Sequence, residues 1–198
     1  MPLRFHERTS SMGTTDNHDL AAAVTLGDTD TYATINGATH RGADVTGAQL
    51  KTFVSSGLVN VTAATLTVTA ASHGGRAVTL NRAAGQAITL PAASGGGNIY
   101  TFIVGTTITS NSTTIKVANA SDAFIGFSMV VSDDAGGPVI GFIASAASDD
   151  TVTLNGTTTG GYAGDTVVIE DVAANVFAVR IFGKATGTEA TPFSATVS

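Results

Sequence analysis

From Leu58 to the C-terminus, apolar residues recur with a period of two, and clusters of Gly, Asn, Asp and Ser interrupt them. Only a strand turns alternate residues to opposite faces, so this period demands β structure. Candidate strands are Val59–Val68, Ala77–Asn81, Ala87–Leu90, Ile99–Val104, Thr113–Val117, Ser128–Ser132, Val139–Ile143, Thr151–Leu154, Thr166–Glu170, Val176–Phe182 and Phe193–Val197. They are rich in β-branched residues and are separated by turn-forming strings such as SHGG, SGGG, DDAGG and NGTTTGG. A spacing of roughly 8–12 residues between these signals predicts an all-β fold, an antiparallel β-sandwich or barrel. In Val176–Phe182, Phe177, Val179 and Ile181 share one face and Arg180 takes the other, the mark of a half-buried strand. Ile99–Val104 is apolar on both faces and is expected to be central or covered.

The first 57 residues differ in kind, so the predicted organisation is an N-terminal arm or anchor over 1–57 and an all-β domain over 58–198. Residues 1–19 are polar, with Leu3, Phe5 and Met12 as the large apolar exceptions. Residues 20–45 read as irregular chain with short strands around Ala22–Leu26 and Tyr32–Ile35. The one convincing helix signal covers 47–56. Thr46 and Gln49 make a capping box, Leu50, Phe53 and Val54 share a face, and Gly57 stands at the C-terminal cap. At under three turns this helix must dock on something to persist. MPLRFHERTSSMG has no apolar h-region, so a secretory signal is not expected there.

Charge is scarce, at 12% of 198 residues against about 25% in ordinary soluble domains. Between Ala83 and Ile115 there is no Asp, Glu, Lys, Arg or His at all. Gly and Pro break this run too often for a membrane span. A long, uncharged, hydroxyl-rich segment predicts strands that pack at a subunit or capsid interface, with the acidic turns Asp133–Asp134 and Asp149–Asp150 facing solvent. The acids are unevenly placed: residues 45–121 hold none, and residues 122–198 hold nine of the fifteen. Lys51, Arg76, Arg82 and Lys116 are too dispersed for a nucleic-acid footprint. Without cysteine there are no disulfides, thiolate chemistry or Cys-based zinc sites.

No constellation predicts an enzyme, so no catalytic, cofactor-binding or metal-ligating residue is assigned. His6, His18, His40 and His73 fall in no metal-binding spacing. No GxSxG elbow is present, and the Asp pairs lack the spaced carboxylates of a calcium loop. SGGG at 94–97 and Gly74–Gly75 precede strands rather than helices, so they read as turns and not as phosphate cradles. The triplets beginning at Asn60, Asn111, Asn119 and Asn155 match the glycosylation pattern by chance in so Thr-rich a chain. The aromatic residues form no stacking ladder.

The strings AAGQAITLPAA (83–93), YTFIVGTTITS (100–110) and TGTEATPFS (186–194) lie in a stretch, roughly 75–198, that resembles virion structural proteins of tailed double-stranded DNA bacteriophages. Within that group it is similar to capsid decoration (cement) and head-fibre proteins. The resemblance implies a non-enzymatic structural protein on the outer capsid surface of the virion. It implies a homotrimer whose partner is the major capsid protein of the phage head, without nucleic acid or membrane. A head- or tail-fibre module that binds a glycan receptor is the alternative, with loop tips at 133–138 or 156–163 as its contact points.

Overall fold

A computed structural model describes residues 31–36, 41–46, 57–134, 136–145 and 148–197. The chain divides into two units, Met1–Ser55 and Ser56–Ser198. In the first, β1 (Thr31–Asn36) pairs antiparallel with β2 (Arg41–Thr46), in a register that runs from Asn36 opposite Arg41 to Thr31 opposite Thr46. β1 coincides with the strand expected around Tyr32–Ile35, whereas β2 lies in the stretch expected to be irregular chain, where Ala43 and Val45 give only a brief alternation. The polar arm over 1–19, the strand at Ala22–Leu26 and the helix over 47–56 lie outside the described residues.

The second unit is all-β and sandwich-like, two sheets packed face to face. Its strands are β3 (Val59–Val61), β4 (Thr65–Thr67), β5 (Ala77–Leu80), β6 (Ala87–Thr89), β7 (Ile99–Val104), β8 (Thr113–Lys116), β9 (Ala123–Ser132), β10 (Val139–Ala144), β11 (Thr151–Leu154), β12 (Thr166–Ala173), β13 (Val176–Ala185) and β14 (Phe193–Ser194). The larger sheet has the order β10-β9-β13-β12-β7-β5-β3, and the smaller one β14-β11-β8-β6-β4. Pairing is mixed rather than antiparallel throughout. From β3 to β8 the chain alternates between sheets, so β3, β5 and β7 run parallel in one while β4, β6 and β8 run parallel in the other. This part is a flattened solenoid. β9 to β14 then extend both sheets with mostly antiparallel pairs. The one described helix, α1 (Ala70–His73), is a single turn in the β4–β5 connection, capped by the Thr69 side chain.

Each sheet contributes a row of inward residues that crosses every one of its strands, apolar throughout except at Ser128 of β9. In the larger sheet Val59, Val78, Phe102, Val167, Ile181, Ser128 and Phe142 stand side by side. In the smaller sheet the row is Leu66, Ile88, Ile115, Val152 and Phe193. Both rows point into one core, joined by Tyr100, Leu90, Leu154 and the tilted ring pair Phe124–Phe177, centroids 6.2 Å apart. Successive coils are also tied by Gln86, whose buried side chain donates to the carbonyls of Val61 (3.1 Å) and Ala63 (2.7 Å).

Two substitutions test this packing. Phe102 is fully buried in the middle of the longer row, so Phe102→Ala should cost about 3–5 kcal/mol in chemical denaturation. Gly126 has φ 137° in mid-β9, and a Cβ there would overlap the Val179 carbonyl oxygen across the β9–β13 pair. Gly126→Ala should therefore lower stability by about 2 kcal/mol or more, measured the same way.

Candidate interaction surface

The outer faces of the two sheets are unlike. On the smaller sheet the outward positions form rows of hydroxyls: Thr65 beside Ala87, Thr114 and Thr153, and Thr67 beside Thr89, Lys116 and Thr151. This is the polar exterior expected of a sheet with one solvated face. On the larger sheet, around β10, β9 and β13, the outward positions are large and apolar. β9 presents Ile125, Phe127, Met129 and Val131, each 37–47% exposed. β10 adds Val139 at 55% and Ile143 at 82%, and β13 adds Phe182 at 47%. Register joins them into one patch, with Val131 opposite Val139, Phe127 opposite Ile143, and Met129 beside Phe182.

β9 is apolar on both faces. Its inward positions are Phe124 and Val130, both fully buried, with Gly126, Ser128 and Ser132 between and beyond them, while Ile125, Phe127, Met129 and Val131 point out. A contiguous outward patch of large apolar side chains is the kind of surface that marks contact sites. The face also carries little net charge. Arg180, in its middle, pairs with Glu170 at 3.6 Å. The Lys184 ammonium lies 4.7 Å from the centroid of the Tyr162 ring. Phe127 and Phe182 are held edge to face, centroids 6.3 Å apart, as stiff anchors already packed against one another.

The uncharged run Ala83–Ile115 does not supply this surface. Ile88, Leu90, Tyr100, Phe102, Val104, Ile108 and Ile115 are all buried in the chain's own core, and the run's outward positions are chiefly threonines. Hydroxyls take the place of charge at many of its outward positions. Ile99, at 43%, is its large exposed apolar side chain.

Four buried aspartates hold the loops. Asp171 accepts from the Ser94 amide (2.9 Å), the Gly95 amide (2.7 Å), the Gly96 amide (3.1 Å) and the Ser94 hydroxyl (2.8 Å). The SGGG turn is thus an anion cradle after all, filled by the chain's own carboxylate. Asp165 accepts from the amides of Gly161, Tyr162 and Lys184, and Asp122 from the Ala93 amide and the Asn119 side chain. Asp150 accepts from the Thr151 hydroxyl and the Thr196 and Val197 amides. The expectation that Asp149–Asp150 faces solvent therefore fails at Asp150, 6% exposed, because the C-terminal segment folds over it. Asp149 is half-buried and accepts from the Ser145 amide, while Asp133 and Asp134 are exposed as expected. These clasps were missed because a turn aspartate reads the same in sequence whether it meets water or a distant loop.

His73 accepts from the Thr69 amide within the α1 turn, and His6, His18 and His40 lie outside the described residues. Among the described residues no three His, Cys, Asp or Glu side chains are grouped to hold a metal ion, and no helix is long and apolar enough to cross a membrane. Arg76 and Arg82 donate to the backbone carbonyls of Gly57 and Gly85. Neither a family model nor a characterised protein matches the chain in sequence.

The carboxylates differ in their electrostatics. Burial pushes Asp171 up, but the Ser94 hydroxyl and then the Gly95, Gly96 and Ser94 amides outweigh it and leave the carboxyl below its ordinary range. Burial dominates at Asp165 and raises it despite its three amide donors and the nearby Lys184 charge. A depressed carboxyl contributes stability above its unfolded value, lost as pH falls through the folded one, so Asp171 contributes to acid unfolding below about pH 4. Asp165 has the opposite sign: stability declines as pH rises from the unfolded to the raised folded value. Asp171→Asn puts an amide group against donors, and should cost about 1.5–3 kcal/mol near pH 7. Urea titrations from pH 3 to 7 should show the deficit shrinking toward the acid end.

Proposed function

We propose that this chain is a non-enzymatic virion structural protein, a decoration or cement protein that sits as a trimer on the outer surface of a tailed-phage head and stabilises it. The major capsid protein is its partner in this reading. The observation that carries it is the weakly charged apolar face on β10, β9 and β13, where Ile125, Phe127, Met129, Val131, Val139, Ile143 and Phe182 all point outward. Such a face serves contact with protein. The resemblance of residues 75–198 to phage decoration and head-fibre proteins supplies the setting. The interior adds support: the buried carboxylates accept from the chain's own backbone, which stiffens loops.

The fibre reading, with glycan bound at 156–163, has less behind it. In that loop Asn155 Oδ1 accepts from the amides of Thr157 and Thr159, and Asn155 Nδ2 donates to the Thr158 hydroxyl. Polar groups that a sugar would need are already engaged.

Electron cryo-microscopy of the particles that carry this protein tests the proposal. Density for the sandwich is expected on the exterior of the head, and heads stripped of it should release DNA at a temperature several degrees lower. Density confined to a tail or fibre, or an unchanged release temperature, would overturn it.

A further inference from the structure

We infer that the outer face of β10, β9 and β13 is where copies of this chain meet one another, so that its occupant is a second copy rather than another protein. The inference rests on the homo-oligomeric part of the reading above and not on its virion part.

Charge argues first. Identical surfaces bring identical charges together, so a self-contact favours a face with little net charge. This face comes close in a chain of net charge −6, because Arg180 pairs with Glu170 and the Lys184 ammonium, held over the Tyr162 ring, is its remaining charge. A strongly acidic or basic partner would find little to complement. The exposed acids Asp133 and Asp134 sit in the β9–β10 turn, at the margin rather than within.

Area argues next. Seven large apolar side chains are about half exposed here, offering on the order of 500 Å². Two copies would bury about 1,000 Å² between them, where specific interfaces begin. Phe127 and Phe182, held against each other beforehand, lose little freedom on contact.

The sheet edges give an internal comparison. β3, β4 and β14 end their sheets with three, three and two residues, a common protection against strand-to-strand association. β10 ends the larger sheet beside the patch with six residues, VIGFIA, bearing neither charge nor proline. Three edges are protected and the fourth is not. About Gly141 the outward residues of β10 are balanced, Val139 on one side and Ile143 on the other, so the strand presents similar surfaces in either direction.

The test is the mass of the full-length protein in solution, by light scattering and native mass spectrometry at micromolar concentration. The variants are Ile143→Lys with Met129→Lys, and Leu58→Lys as the comparison. Leu58, 60% exposed, flanks β3 at the opposite edge of the larger sheet. The wild type and Leu58→Lys should give the same multiple of the subunit mass, and the double variant the subunit mass with its β circular dichroism intact. Because both substituted side chains point outward, the fold should persist, and Ile143→Lys alone should show at least a tenfold weaker association. A wild type that stays at subunit mass overturns both the inference and the homo-oligomeric reading. An oligomer that withstands the double variant, or dissociates only with Leu58→Lys, overturns this face alone. A wild type that associates through this face yet is absent from particles supports the inference and removes the virion reading.

Discussion

Everything in the second unit depends on two apolar rows that must face one another. The seven-residue row of the larger sheet and the five-residue row of the smaller one each run perpendicular to their strands. A one-residue slip of any strand would turn its core residue outward and break the row. Alternation of the chain between sheets from β3 to β8 follows naturally. Each strand turns its inward side chains, such as Val78 and Leu80 of β5 or Tyr100, Phe102 and Val104 of β7, into the core, and the next crosses to the other sheet to face them. Val61, Val68, Val78, Ile88 and Phe102 are laid down in this way, one coil at a time. Rows of this kind need no charge, which is how so weakly charged a chain supports so much sheet.

The loops meet a different requirement. A buried loop must satisfy its amides, and here small residues leave few side chains to help. The aspartates fill that role by reaching across large sequence separations, Asp171 to Ser94 and Asp150 to Thr196. The resulting carboxylates are structural, and they account for much of the acidic C-terminal block. What looked like surface charge is partly internal bonding.

The fold class was legible because period two is a strong signal wherever one face is wet. Ile99–Val104 and Thr151–Leu154 begin and end as their alternation predicts. Parallel pairing in the first coils was not legible. TLT of β4 and AIT of β6 carry an alternation that suits either direction, and only the tertiary crossing decides. β9 was expected from Ser128 and begins at Ala123. There Ile125, Phe127, Met129 and Val131 point outward while Phe124 and Val130 point into the core. Alternation shows two apolar sets on such a strand but not which of them lies outside.

The two outer faces then separate composition from purpose. Both sheets come from one Thr- and Ala-rich chain, and both have an exterior of similar construction. If composition alone set the exterior, the outward positions of β9 and β10 would hold threonine, as those of β4, β6 and β8 mostly do. They hold Phe127, Met129, Val131, Val139 and Ile143 instead, although β9 already turns Phe124 and Val130 into the core beneath them. A strand with large apolar residues on both faces leaves one of those faces in water when the sandwich stands alone. Packing of the second unit's own core accounts for the inner set, and it does not account for the outer one.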